Sequence, residues 1–385
     1  LGITRLDVAG AFGDIGVLFP IAIALITLNH LNATAVFLAA GIAYVVSGWY
    51  FRVPMAIQPF KAVAAIALAK GLSPQEIASA GLLIGILLGL IAITNLAGLL
   101  ARLFTLPVVR GIQLGLGFLL LREGAKLIFA QQHLLIRDNL LLSGWVITIA
   151  AAAILMLFIK SKRFPAGLLL LLFGLALGLC AYGHEFHNLQ LRPMPLSIIH
   201  AKTAELWKVL PLLVIPQFAL TFGNSIVASE NTARILYGDA ADRVTIRSLT
   251  GSIAIMNIAS AVILASPMCH GSGGITAHYK FGARTPKSNY VIGAACLLLA
   301  AIGSAAVAML HLIPIAVLGV FLLYVGIQHA LYLRDIVKQV PALLIAIAVG
   351  VVAVLTTNLM WGFFVGLFLQ EIVGFRKSKR PVLAG

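Results

Sequence analysis

Pro267-Met268-Cys269-His270-Gly271-Ser272-Gly273-Gly274 decides how the rest of the chain is read. It opens an apolar run with a proline, a histidine and three glycines, so the run is too short and too polar at its start to finish a crossing of hydrocarbon. Such a segment fits an extended approach followed by a short helix, whose first amides have no partner within the helix. Pro54-Met55-Ala56-Ile57-Gln58-Pro59-Phe60-Lys61 follows the same plan. Proline suits the first turn of a helix, where its missing N–H costs nothing. The glycines let backbone approach a ligand closely and offer consecutive N–H donors, and a positive φ is expected at Gly273.

The sequence around these two stretches is overwhelmingly apolar. Of 385 residues 61% are hydrophobic and 10% charged, against about 25% charged in a soluble domain. A soluble protein is excluded. About 20 apolar residues cross the hydrocarbon core, and apolar runs between breakers predict spans at 8–28, 33–51, 54–70, 76–101, 107–129, 140–159, 166–182, 207–229, 245–265, 267–280, 289–310, 314–332, 341–356 and 359–375. The expected fold class is an all-α polytopic membrane protein of fourteen segments, with the third and tenth broken. The chain opens directly on the first span, so no cleaved leader is expected.

Fourteen spans put both termini on one side. Nineteen of the 27 Lys and Arg residues then fall in segments on that side and seven on the other, with Lys61 left inside the third span. By the positive-inside rule both termini are cytoplasmic, in the cell membrane, and 376–385 is a short basic tail. Trp49, Trp145, Trp207 and Trp361 sit near span ends, where amphipathic rings belong. The formal charge of +15 is scattered between apolar runs, which excludes nucleic acid as a partner and leaves lipid. Cys180, Cys269 and Cys296 lack metal-ligand spacing and read as small buried hydrophobes. His184 and His187, in the polar 183–206 loop, have no Cys or carboxylate set around them.

Phe12-Gly13-Asp14 recurs as Phe222-Gly223-Asn224 and Pro54-Met55 as Pro267-Met268, at offsets of 210 and 213. The two echoes relate span 1 to span 8 and span 3 to span 10. An odd number of spans per repeat inverts one half against the other, the plan of many secondary transporters.

Two half-helix N-termini facing each other at mid-membrane make an anion site. Lys61 supplies charge there: it contacts substrate or balances it, or it serves a structural pair or snorkels to an interface. Gln58 adds an amide donor or satisfies freed backbone. Asp14 is a proton carrier, a partner to Lys61, or a structural hydrogen-bonding group. In span 8, Gln217, Thr221, Asn224, Ser225 and Ser229 draw a polar stripe at helical spacing. Glu230 at its end is a second proton site or an interfacial charge. His270 donates to an oxyanion or is a satisfied polar group. The candidate binding set is therefore Gln58, Lys61, Gln217, Asn224, Ser225, His270, Gly271, Ser272, Gly273 and Gly274, with Asp14 and Glu230 for proton coupling. No nucleophile with base and orienter, Walker loop or dinucleotide fingerprint is present, so neither an enzyme nor a cofactor is expected.

Gly13-Asp14-Ile15-Gly16, Gln58-Pro59-Phe60-Lys61, the 267–274 run and Phe281-Gly282-Ala283-Arg284 together resemble the molybdate-transporter branch of the sulfate permease superfamily, over nearly the whole chain. The resemblance implies the uracil-permease-like fold of two inverted seven-span repeats. Its core would be about 1–103 and 207–312, its gate about 104–206 and 313–375, and its substrate would sit between the half-helices. It implies a secondary carrier of a tetrahedral oxyanion, molybdate first, with a homodimer through gate helices. The short tail leaves no room for the cytoplasmic STAS domain of many sulfate permeases, as in the molybdate branch. A sulfate or nucleobase permease of the same fold, and a passive anion channel, are the alternatives.

Overall fold

The computed structural model describes residues 2–94, 96, 105–130, 134–136, 140–159, 161, 166–182, 190–200 and 202–373. The tail at 376–385, His184 and His187 lie outside the described residues. Helix α1 (Arg5–Leu28) starts at a capping box, in which the Thr4 hydroxyl accepts from the Asp7 amide at 3.2 Å and the Asp7 carboxylate accepts from the Thr4 amide at 2.9 Å. Helix α2 (Ala33–Phe51) leads to strand β1 (Gln58–Pro59), helix α3 (Lys61–Lys70) and helix α4 (Pro74–Thr94). Next come α5 (Leu106–Phe129), α6 (Gly144–Phe158) and α7 (Ala166–Tyr182).

The second half opens with α8 (Thr203–Ala241), continues through α9 (Ile246–Val262), strand β4 (Met268–Cys269) and α10 (Ser272–Lys280), and reaches α11 (Lys287–Ala301) and α12 (Gly303–His311). It ends with α13 (Ile315–Leu331), α14 (Val340–Thr356) and α15 (Leu359–Ile372).

Three departures from the sequence reading have local causes. The chain is not purely helical: β1 pairs antiparallel with β4, and β2 (Leu134–Ile136) with β3 (Leu140–Leu142) between α5 and α6. The expected eleventh span, 289–310, is two helices bent by 93° at Gly303. The bend is held from outside: the Thr34 hydroxyl donates to the Ala300 carbonyl at 3.0 Å, and the Ser304 amide donates to the Arg192 carbonyl at 3.0 Å. Span 8 is a 39-residue helix widened twice, over Leu210–Val214 and Thr221–Val227. There the Ile215 amide reaches back to Leu210 and the Ala228 amide to Gly223, one residue further than in an α-helix. Pro211 and Pro216 have no N–H for a regular ladder. The polar stripe predicted there from regular helical spacing is therefore displaced in register.

Packing follows a two-fold pattern. Helix α2 packs on α11 and α4 on α9, a pair of contacts that exchange when the halves are swapped, while α5–α13 and β1–β4 map onto themselves. Large apolar side chains remain outside, such as Ile93, Leu157 and Leu355, each at least 77% exposed. Cys269 and Cys296 are buried, but Cys180 is exposed on α7, against expectation; that helix buries the face of Ala166, Leu170, Gly174, Gly178 and Ala181, and Cys180 lies off it. By length and composition, four helices among the described residues are long and apolar enough to cross a bilayer, or up to six if each of two bent pairs is one span. The fold so described is that of a polytopic, mainly helical membrane protein.

Candidate functional site

The site grows from the β1–β4 pairing at the centre of the molecule. Gln58 faces Cys269 and Pro59 faces Met268, and the Phe60 amide donates to the Pro267 carbonyl at 2.8 Å. Two residues per strand leave backbone unpaired, and buried asparagines take it. Asn289 of α11 accepts from the Met55 amide at 2.9 Å and donates to its carbonyl at 2.8 Å. Asn257 of α9 does the same for Met268, at 2.9 and 2.7 Å. Each side-chain amide stands in for a neighbouring strand, so buried N–H and C=O groups stay satisfied.

The two short helices that follow differ at their first turns. In α3 the Ala62 and Val63 amides donate to Gln217 Oε1 of α8, at 2.9 and 3.3 Å. In α10 the Gly274 and Ile275 amides turn back to the Gly271 carbonyl, at 3.0 and 3.2 Å. The Ser272 and Gly273 amides have no acceptor among the described residues. Helix α8 thus closes the N-terminus of one short helix and leaves that of the other open.

Beside the open terminus stands Lys61, 8% exposed and without an ion pair among the described residues. With Gln58, Gly273 and Gly274 it lines a cavity of about 210 Å³, closed from the other side by His329 of α13 and by Tyr332. A buried cation without a counter-charge is costly unless the site supplies an anion. A Cβ at Gly273 would sit 3.1 Å from the Tyr332 hydroxyl and otherwise in open space. The positive φ expected there is absent: among the described residues Gly71, Gly238 and Gly282 are the glycines that adopt it. Glycine at 273 is needed for approach, because ordinary helical backbone already fits.

Asp14 is fully buried and does not pair with Lys61. Its carboxylate accepts from the Tyr44 hydroxyl at 2.5 Å and from the Gln58 side-chain amide, with His278 Nε2 3.8 Å away. That placement gives the Gln58 side chain to Asp14 and leaves Gln58 Oε1 without a donor. A Cβ at Gly274 would strike Asp14, Ala56 and Gln58, so this glycine permits close packing against the carboxylate.

The remaining expected residues divide between the cavity rim and the scaffold. Asn224 accepts from the Ser272 hydroxyl at 3.2 Å, as Asp14 does from Gln58 in the other half. Ser225 is buried beside Cys269, and Gln217 also donates to Thr221 at 3.0 Å. His270 faces away: Nδ1 lies 3.0 Å from the Ala56 carbonyl and Nε2 2.9 Å from the Ser252 hydroxyl. A carbonyl only accepts, so Nδ1 carries the hydrogen and both ring nitrogens are spent within the protein. The Gly271 carbonyl caps α10 by accepting from the Gly274 and Ile275 amides. Glu230 pairs with Arg234 one turn along α8, at 3.1 Å.

Sequence reasoning missed the wall formed by His329 and Tyr332. The signal was present as Gln328, His329 and Tyr332 at near-helical spacing in an otherwise apolar run. Behind them the Arg110 guanidinium lies 5.1 Å over the Tyr332 ring, bonds Asp335, and donates to Gln113 at 2.8 Å.

The arrangement sets a buried lysine beside an open helix terminus in a polytopic helical membrane fold, and the chain can be compared with known proteins. The sequence family described as "Molybdate transporter of MFS superfamily" matches residues 7–120 and 210–328. The chain belongs to this molybdate transporter family. It is 26% identical over 410 residues to "Molybdate transporter 2" of Arabidopsis thaliana, covering 96% of this chain and 87% of that protein. To "Molybdate transporter 1" of the same plant it is 27% identical over 411 residues, covering 97% and 89%. Among solved structures it resembles the transmembrane domain of the cyanobacterial bicarbonate transporter BicA, with a TM-score of 0.66, 16% identity and coverage of 94% of this chain and 97% of that one. It also resembles SLC26A9, with a TM-score of 0.70, 13% identity and coverage of 97% of this chain and 66% of that one.

Proposed function

We propose that the chain is a secondary carrier of molybdate, binding the dianion between Lys61 and the open N-terminus of α10. One observation carries the site: the buried ammonium of Lys61, unpaired among the described residues, shares a cavity with Gly273, whose amide and that of Ser272 have no acceptor among those residues. Charge-assisted hydrogen bonds from such donors are the strong ones, and the family and its plant relatives are named for molybdate. Asn224 orients the Ser272 hydroxyl, and Gln217 holds α3 in place by occupying its first amides.

In this reading β1 with α3 and β4 with α10 are two broken spans within fourteen, both termini are cytoplasmic, and the halves are inverted repeats. The exchangeable contacts α2–α11 and α4–α9 support the repeats. The core is about 1–103 and 207–312 and the gate about 104–206 and 313–375, so Lys61 and α10 belong to the core and His329 and Tyr332 to the gate. Substrate then lies at the sliding interface, as alternating access requires. A homodimer would form through gate helices and expose the core to lipid.

Purified protein in liposomes tests the function. Molybdate uptake should saturate at low turnover and be inhibited by tungstate more than by sulfate, uracil or bicarbonate. Open-pore currents would make it a channel, and sulfate preference would make it a sulfate permease.

A further inference from the structure

We propose that His329 is the gate-side ligand of the bound oxyanion and that it takes up a proton as the dianion binds, so that the site selects for charge as well as shape. The inference rests on the anion site proposed above. His329 is 2% exposed and lines the cavity with Tyr332; its Nδ1 is sealed within the protein, and neither Nδ1 nor the more accessible Nε2 has a hydrogen-bond partner among the described residues. An imidazole without a hydrogen-bond partner on the wall of a polar cavity lacks a ligand that the protein does not supply, and Nε2 is the nitrogen placed to take one.

The charges around the ring set its behaviour. Lys61 of α3 lines the same cavity, and Arg110 of α5 lies over Tyr332, which meets the His329 ring edge-on with ring centroids 5.8 Å apart. Asp335, the nearest acid on the following turn, is engaged by Arg110, and Asp14 of α1 by Tyr44 and Gln58. The described parts of α6 bring no titratable group, and α7 brings Cys180 and Tyr182. Lys280 and Tyr324 complete the titratable lining of the cavity.

With the cavity empty, two cations oppose a third positive charge on the ring. A dianion among them reverses the balance and makes an imidazolium donor favourable. Proton and dianion then help each other bind, by reciprocal linkage. A monoanion of the same shape gains much less from the third charge.

Isothermal titration of wild-type protein with molybdate, in two buffers of different ionisation enthalpy, should show proton uptake approaching one per anion at mildly alkaline pH. Perrhenate, a tetrahedral monoanion close to tungstate in size, should bind more weakly and with little uptake. His329→Asn and His329→Gln keep a neutral hydrogen-bonding group. They should abolish proton uptake and weaken molybdate roughly ten- to a hundredfold, while changing perrhenate affinity much less. Zero proton uptake by wild type, or uptake unchanged in both variants, overturns the inference. If Lys61→Met weakens molybdate and the His329 variants do not, this inference fails and the anion site stands; if neither substitution alters binding, the site itself is misplaced.

Discussion

Replacing Lys61 by Met isolates the charge on which the site depends, because the ammonium is 8% exposed and has no ion-pair partner among the described residues to be stranded by its loss. Two unit charges about 4 Å apart attract by about 4 kcal/mol at an effective dielectric of about 20. A dianion doubles that figure, and desolvation of both partners offsets most of it. Hydrogen bonds to charged groups retain a net of about 1.5–3 kcal/mol. At about 1.4 kcal/mol per decade, molybdate affinity should fall roughly ten- to 150-fold. Stability should move the other way: a lysine at mid-membrane depth costs about 2.5–3.5 kcal/mol on insertion scales, so Lys61→Met should hold or raise the melting temperature. Breaking a buried ion pair would instead cost about 3–5 kcal/mol. Titration of molybdate at low ionic strength, beside thermal unfolding in the same detergent, reads both quantities. An unchanged Kd, or a large drop in Tm, would refute the argument that the charge is unpaired and reserved for substrate.

Other substitutions separate the cradle from its scaffold. Gly273→Val should abolish molybdate binding by filling the approach beneath Tyr332, whereas Ser272→Ala, which removes a hydroxyl already given to Asn224, should weaken it by no more than about tenfold; titration showing the reverse order would displace the anion from α10. Asn289→Ala removes both partners of Met55 and should cost about 2–4 kcal/mol in stability, read as a lower Tm, and an unchanged Tm would show that water or a shifted strand replaces the clamp. Glu230→Gln should leave the pH profile of uptake unaltered, since Glu230 pairs with Arg234 outside the cavity; a shifted profile would restore it as a proton site.

Much of this was legible in the sequence because membrane folding writes strong signals. Long apolar runs, a proline opening each short segment and a lysine without a neighbouring acid mark the two short helices α3 and α10 and the buried Lys61 at the start of α3. The Gly271–Gly274 run marked a place where side chains would not fit or would fill open space, although the positive φ inferred at Gly273 confused backbone freedom with space. His270 beside that run looked like a ligand, but direction around a turn is not a property of spacing, and its ring points to Ala56 and Ser252. Span 8 misled for a related reason: two wide turns shift the register, so a stripe counted at regular spacing put Gln217 in the cavity rather than on the first amides of α3. His329 and Tyr332 stayed hidden because their partners, Lys61 and Gly273, are more than fifty residues away and meet them only in the folded chain.

The central claim is a location, and a tungstate-bound structure of the protein tests it directly, since tungsten scatters strongly enough to be placed without reference to protein density. The account predicts one tungsten peak in the cavity beside Lys61, with its oxygens within hydrogen-bonding distance of the Ser272 and Gly273 amides. A peak elsewhere in the fold, or none at concentrations that saturate binding, would contradict it.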